Sequence, residues 1–391
     1  MTSVDVLVVG AGPSGSALAA RLARAGASVL LAEAARHPRP KACAEYASPR
    51  IVEELHRIGL GREDWTAEAA RLEGMDLHAG GRRVRIAYAD RSGRSRTAWG
   101  LDRRRFDERL ARHAADSGAG LLENTRAVGV LGADGRVTGA RLRDVATGRT
   151  RDVRAGWVVG ADGARSSVAR AVGVERRVLG PRRLGLVAHY GGVPDLADHG
   201  EMHVGRGWYV GLAPTGGGEL NVGMALPLDG AGRSRDRFAA AIAGLPAVAD
   251  RLRGIERLSV IRGAAPIGHR VSRAAGPGWL LVGDAAGFVD PFTGEGIHRA
   301  LRSSRAAADA ILAGGDVATA YRAERHRAFA AKSALSWLVQ GFLSVPWLIE
   351  HAVERLEQRP QAALRLGSAL GDCRPATDAL SPAALLGVLR P

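Results

Sequence analysis

Lysine is almost missing from this chain. Lys41 and Lys332 are the only two, so the formal net charge of +15 over 391 residues rests on arginine. The arginines are scattered, with no interleaved aromatic residues and no recognition motif, and the tightest group, Arg103 to Arg105, falls on a predicted helix. Such a bias fits the codon usage of a GC-rich genome and gives no support to nucleic-acid binding. Cysteine is scarce as well: Cys43 and Cys373 are too few for a disulfide framework and lack metal-ligand spacing, so no metal is expected. Long apolar runs are absent. The charge-free stretch from Ser333 to Ile349 is broken by Gln340, Gly341, Pro346 and three serines, which argues for a lid or core helix rather than a membrane span; weak contact with a membrane surface or a carrier protein stays open. No charged and apolar leader precedes the first strand, so a cytoplasmic location is expected. The oligomeric state is not legible.

What is present is glycine in three ordered stretches. The first is Gly10-Ala11-Gly12-Pro13-Ser14-Gly15, preceded by the β-branched run Val4 to Val9 and followed by apolar residues at helical spacing as far as Ala25. Gly10 permits a tight turn, Gly12 lets the backbone approach a pyrophosphate, and Gly15 lets helix and strand pack closely, while Pro13 and Ser14 open a helix whose free N–H groups face the phosphates. A second strand, Ser28 to Ala32, ends at Glu33, placed to bind ribose hydroxyls.

The second stretch, Gly160-Ala161-Asp162-Gly163, ends another apolar strand, and Asp162 with Gly163 would close the pyrophosphate channel from the far side; Ser166 caps the short helix that follows. The third, Gly283-Asp284-Ala285-Ala286-Gly287, leads through Pro291, Gly294 and Gly296 into a periodic helix from Ile297 to Leu312. Asp284 suits ribityl hydroxyls, and a helix starting at Gly296-Ile297 would stabilise negative charge on a reduced isoalloxazine. One such stretch fits any dinucleotide enzyme. All three in order fit FAD, and the second and third exclude a plain NAD dehydrogenase. Without a second fingerprint, since Gly205-Arg206-Gly207 and Gly216-Gly217-Gly218 read as hairpin turns, NAD(P)H would have to bind transiently as electron donor.

This ordered set resembles the class A flavoprotein monooxygenases of the p-hydroxybenzoate hydroxylase fold and their relatives, the geranylgeranyl reductases and flavin-dependent halogenases. The likeness spans about the first 330 residues. It implies that Arg103, in Leu101-Asp102-Arg103-Arg104-Arg105-Phe106-Asp107, reaches the cofactor, and that Val128 lays backbone against adenine. Lys41-Ala42-Cys43-Ala44-Glu45-Tyr46-Ala47-Ser48 is similar to the reductase branch's Lys-x-Cys-Gly-Glu-x-x-Ser loop, with Ala44 in place of glycine. That loop adds Lys41 to the cofactor set and Cys43 and Glu45 as proton-donor candidates. Trp208 to Pro214 resembles the reductases' aromatic strand without its internal Trp and Phe, and the halogenases' Trp-x-Trp-x-Ile-Pro segment is absent.

The expected fold class is α/β: a Rossmann-type FAD domain in pieces (1–75, 100–174, 272–330), an inserted antiparallel-sheet substrate domain (76–99, 175–271) and a helical C-terminal segment (331–391). The substrate pocket would draw on His189, His203, Tyr209, Asn221 and Phe292, with His298 as a further catalytic candidate at the start of the flavin helix. Met202 and His203 alternate on one strand, so only one of them can face the pocket. The leading expectation is an NAD(P)H-dependent monooxygenase acting on a hydrophobic aromatic or polyene secondary metabolite. The degraded aromatic strand and the short tail favour it. Its rivals are an alkene reductase of the geranylgeranyl type, favoured by Cys43, and a flavin-binding protein without turnover.

Overall fold

The computed structural model describes residues 2–180, 182–194 and 196–389. Met1, Pro181, Asp195, Arg390 and Pro391, which fall inside the expected domain ranges, lie outside the described residues.

Val6, Leu7 and Val8 are fully buried, as a strand covered on both faces must be. The strand Thr2–Val9 lies parallel to Val29–Ala32 on one side and to Thr150–Gly160 on the other, and Trp279–Leu281 runs parallel to the end of the latter. Register decides the rest: Val9 lies beside both Ala32 and Gly160, and Gly160 beside Leu281. The turns that follow these strands, carrying Gly10, Glu33, Asp162 and Gly283, therefore leave the sheet at one edge, where ligands of open parallel sheets bind. Gly120–Leu122 extends the sheet past Val29–Ala32, and the antiparallel strands Thr125–Ala133 and Arg136–Asp144 extend it at the other side.

A second sheet carries the strands Glu256–Arg257, Arg183–Gly191, Glu219–Pro227, Trp208–Pro214, Gly200–Gly205, Gly74–Ala79, Arg82–Ala89 and Ser95–Arg96 in that order, with Arg262–Ala264 beside Arg183–Gly191. Gly205-Arg206-Gly207 and Gly216-Gly217-Gly218 are both hairpin connections in it. It is antiparallel except where Gly200–Gly205 meets Gly74–Ala79 in parallel. That seam exists because the two strands come from separate parts of the chain rather than from one hairpin. Alternation sorts the residues: Leu186, Val210, Leu212, Val222 and Met224 face the helices Ser234–Ala243 and Pro246–Arg251, whereas Leu77, Ile86, Met202 and Tyr209 face the opposite way.

The C-terminal helices cover that opposite face. Val317–Ser344 runs unbroken across the expected boundary at 330/331, because nothing between Val317 and Ser344 breaks helical periodicity; Pro346 and Pro360 then begin Pro346–Gln358 and Pro360–Leu370. Leu343, Ile349, Val353 and Leu356 pack on Val84 and Ile86. Within Ser333 to Ile349 the inner residues thus form core, while Trp337 and Trp347 are 43% and 68% exposed. Among the described residues no helix is long and apolar enough to cross a membrane.

Candidate functional site

The edge of the parallel sheet forms a cradle of backbone. Gly10 has a φ of +102°, and a Cβ there would stand 2.6 Å from the Ala161 carbonyl oxygen; one on Gly15 would stand 1.8 Å from that of Gly10. Gly12 is different: its Cβ would meet only the Arg39 side chain, at 3.6 Å, so the space above it is open. Pro13–Arg24 begins there with no side-chain cap, leaving its first N–H groups facing that space. Gly283, with φ +58°, abuts Ser14, whose Oγ would lie 2.7 Å from an added Cβ. Glu33 is buried, its Oε2 accepting from the Ala11 N–H at 2.8 Å and its Oε1 from Ala35 N–H at 3.1 Å. Val128 is the unpaired residue of a bulge between Ala127 and Gly129 and is 43% exposed, which offers its backbone to a flat partner.

Three polar groups around this cradle lack partners. Asp162 accepts from Ser167 N–H and Oγ–H at 2.6 Å through one oxygen, but its buried Oδ1 has none. The Nε2 of His269, 8% exposed, has none, and the half-buried Asp284 carboxylate accepts no hydrogen bond. They share one neighbourhood: burial pushes the His269 pKa down, and the charges of Asp284 and Asp162 act against it. Two buried polar atoms left empty-handed on separate segments, with an unpartnered carboxylate beside them, imply an occupant with several polar atoms. The hydroxyls and diphosphate of FAD fit that requirement. The composition-level reading missed His269, which only its orphaned ring nitrogen reveals.

Beyond the cradle the loop from Lys41 to Ser48 crosses toward the second sheet. Arg103, expected to reach the cofactor, instead directs its fork to Asp107 at 2.7 and 2.8 Å and an Nη1–H to Cys43 Sγ at 3.2 Å. The cause is helical spacing, since Asp107 lies one turn on. Lys41 is half-buried and near enough to help lower the Asp107 pKa, which burial alone would raise and Arg103 chiefly lowers. Glu45 is 1% exposed; its Oε1 accepts Arg103 N–H at 3.1 Å and its Oε2 lies 2.8 Å from His189 Nε2. The Asn221 amide nitrogen bridges the Cys43 carbonyl and His189 Nε2, both at 3.1 Å. The structure thus joins four separately expected residues, Cys43, Glu45, His189 and Asn221, into one cluster.

Pro291 to Gly294 turns beside this cluster; Gly294 takes φ +66° against the Tyr46 ring, and Gly296 and Ile297 begin the helix Gly296–Ala313 with no side-chain cap. Ala44, Tyr46 and the Pro291–Gly294 turn form the mouth of an apolar cavity of about 130 Å³. Its walls are Met75, Leu77, Ile86 and Met202 from the sheet and residues such as Leu335 and Phe342 from the tail, with Phe292 at the entrance.

Three expectations need correction. His203 points away from the cavity, because Met202 takes the inward phase; its Nε2 lies 3.0 Å from Glu201 and its ring stacks on His78 at 4.4 Å. These three side chains bring ligand atoms within 4.8 Å of one another, but parallel rings cannot both aim at one ion, and Arg251 engages both Glu201 oxygens. Tyr209 stands behind the cavity wall, its hydroxyl donating to Asp290 at 2.7 Å and its ring edge-on to Phe292. His298 is turned by helical phase toward the tail, where its Nδ1 lies 2.9 Å from Asp372. Lys332 completes that buried cluster, 2.9 Å from Asp372 and 3.3 Å from Glu295, and Ser48 donates to Asp372 at 3.0 Å.

Comparison with known proteins follows this geometry. A family described as FAD binding domain matches residues 3–244. A menaquinone reductase of Mycolicibacterium smegmatis is 35% identical over 336 residues, covering 80% of this chain and 78% of the relative. A digeranylgeranylglycerophospholipid reductase of Methanosarcina acetivorans is 32% identical, with 80% and 77% covered. Among solved structures, a geranylgeranyl bacteriochlorophyll reductase-like protein of Thermoplasma acidophilum superposes with a TM-score of 0.81 at 24% identity over 100% of this chain and 97% of its own. The flavin-dependent brominase Bmp2 does so with 0.83 at 22% identity over 98% of both. At those identities the superpositions speak for the fold.

Proposed function

From the premise that this chain belongs to the FAD-binding-domain family, the class A flavoproteins of the p-hydroxybenzoate hydroxylase fold, and is an FAD-dependent oxidoreductase, we propose that it reduces a carbon–carbon double bond in a hydrophobic, isoprenoid-like substrate. The observation that carries this reading is the apolar cavity opening beside the buried Glu45–His189 pair. A hydrocarbon chain gains about 25 cal/mol per Å² on entering such walls, and a buried acid at the mouth suits protonation of carbon. The names of the two relatives above denote reductases, one of a menaquinone and one of a geranylgeranyl lipid.

Reduced FAD, when bound, supplies a hydride equivalent. The chain's residues do the remainder: the Gly10–Gly15 turn, Glu33, Asp162, His269 and Asp284 hold the cofactor, the tail excludes water, and Glu45, hydrogen-bonded to His189, relays a proton near the mouth. We assign NAD(P)H as transient electron donor. We likewise keep the partition into an FAD domain and a sheet domain (76–99, 175–271), the FAD domain now being 1–75, 100–174 and 272–316 because the tail starts with the helix at Val317.

The oxygenase expectation rested on a degraded aromatic strand and a short tail. The strand does present Gly211 and Ala213 beside Tyr209, yet the tail supplies the apolar wall in their stead. Oxygenation remains the second reading, favoured by the small residues Gly211, Ala213 and Gly223, on or beside the strand where the reductases carry bulky aromatics. The test is anaerobic: photoreduced, FAD-loaded protein is mixed with geranylgeraniol or menaquinone, and products are weighed by mass spectrometry. A gain of two hydrogens is expected. A gain of oxygen seen only in air overturns the reductase reading in favour of the oxygenase, and a flavin that stays bleached with no product formed favours a carrier.

A further inference from the structure

Glu45 combines burial with an unusual backbone. Its φ is +59°, a left-handed conformation that is costly for a glutamate and persists only where surrounding contacts impose it. They do so here: the Glu45 carbonyl accepts Leu101 N–H at 2.8 Å, and the carboxylate is held by Arg103 N–H and His189. Ala44 and Tyr46, its two neighbours, both line the cavity mouth, so the strained residue lies between two wall residues. A carboxyl group buried this deeply needs a partner, and the partner is an imidazole on the floor strand Arg183–Gly191.

That imidazole faces two ways. Its Nε2 meets Glu45, and its Nδ1 lies 3.3 Å from Ser259 Oγ, on a loop whose Leu258 and Val260 are 46% and 63% exposed. The His189 side chain itself is 13% exposed. The charged or titratable groups facing it are Glu45 from the loop, Arg104 from the helix Arg103–Asp116, and Glu219 from the neighbouring strand. Burial lowers its pKa, but the hydrogen bond and charge of Glu45, helped by Glu219 and opposed by Arg104, leave it raised.

We propose that His189, absent from the catalytic residues expected from sequence, holds the proton that Glu45 delivers to the substrate and recovers it from water, Ser259 keeping the ring aimed through Nδ1. This rests on the alkene-reduction reading. The balance is simple: one alkene carbon takes a hydride from reduced FAD, which is left oxidised and is recharged by a nicotinamide donor; the π bond breaks; the other carbon takes the Glu45 proton. His189 Nε2–H then restores that proton over 2.8 Å, and the imidazole, now neutral with its remaining proton on Nδ1, takes up one solvent proton at Nε2 before the next turnover. Because it acts through Glu45, His189 is a positioning residue.

The test is histidine-ring ¹⁵N spectroscopy of the FAD-loaded full chain across mildly acid to alkaline pH. One imidazole should titrate above the ordinary value of about 6.5. Its signal should vanish in His189→Gln and move down in Glu45→Gln while FAD stays bound. Absence of a high-titrating imidazole, or one indifferent to Glu45→Gln, overturns the proposal. In parallel, anaerobic reduction of geranylgeraniol should fall at alkaline pH in the parent and lose that dependence in His189→Gln. A raised His189 without any reduced product sinks the alkene reading and the proton's destination, whereas product formation without a raised His189 sinks the pair alone.

Discussion

The two ends of the cofactor site are built from different materials. The pyrophosphate end is chiefly backbone, with glycines at strand ends, a helix start without a side-chain cap, and a bulge at Val128, and only Glu33, Asp162, His269 and Asp284 add side chains at its margin. The reacting end is side chain: Glu45, His189, Asn221 and Arg103 meet from segments separated by up to 176 positions, and Lys332 and Asp372 anchor the roof from farther still. A backbone site depends on what cannot be added to it. A side-chain site depends on what must not be removed.

The comparison can be broken most forcefully at Gly10. Gly10→Ala should cost about 2–6 kcal/mol, from left-handed strain and the overlap with Ala161 together, read by chemical denaturation. Lys332→Met should cost about 3–5 kcal/mol by the same measurement, because Asp372 and Glu295 would stay buried without their cation. Glu45→Gln should slow substrate-dependent flavin reoxidation roughly 100-fold or more.

A pH series sharpens the contrast further. His189 has a raised pKa in the folded protein, so its stabilisation is complete below about 6.5 and is lost as pH rises through the raised value. Denaturation midpoints of the parent and His189→Gln should differ in mild acid and converge in alkali. The smallest effect belongs to the outer face of the same sheet: His203→Ala removes one hydrogen bond to Glu201, about 1 kcal/mol, and should leave turnover unchanged.

The same contrast explains what could be read in advance. Gly10, Gly12, Gly15 and Glu33 form a contiguous local pattern whose purpose follows from chain geometry, and parallel register then brings Asp162 and Gly283 to the same edge. His203 and His298 were misjudged because their direction depends on strand parity and helix phase fixed by distant neighbours, Met202 taking the cavity and Asp372 taking the imidazole. Cys43 and Glu45 were recognised as a pair on one loop. Their bond to His189 was invisible, since it spans two sheets and needs a glutamate in a left-handed conformation. The tail was illegible as a wall because its apolar residues acquire a function only when packed against Ile86 and Met202.

The most direct measurement is the FAD dissociation constant of two variants, Gly12→Val and Glu45→Gln, by equilibrium fluorescence, since a Cβ on Gly12 meets nothing nearer than the Arg39 side chain, at 3.6 Å. The account predicts a rise of roughly 100-fold for Gly12→Val, about 2.7 kcal/mol, and less than about threefold for Glu45→Gln. Unchanged affinity in Gly12→Val, or a loss in Glu45→Gln that equals it, would contradict the division between a backbone cradle that binds and a side-chain cluster that reacts.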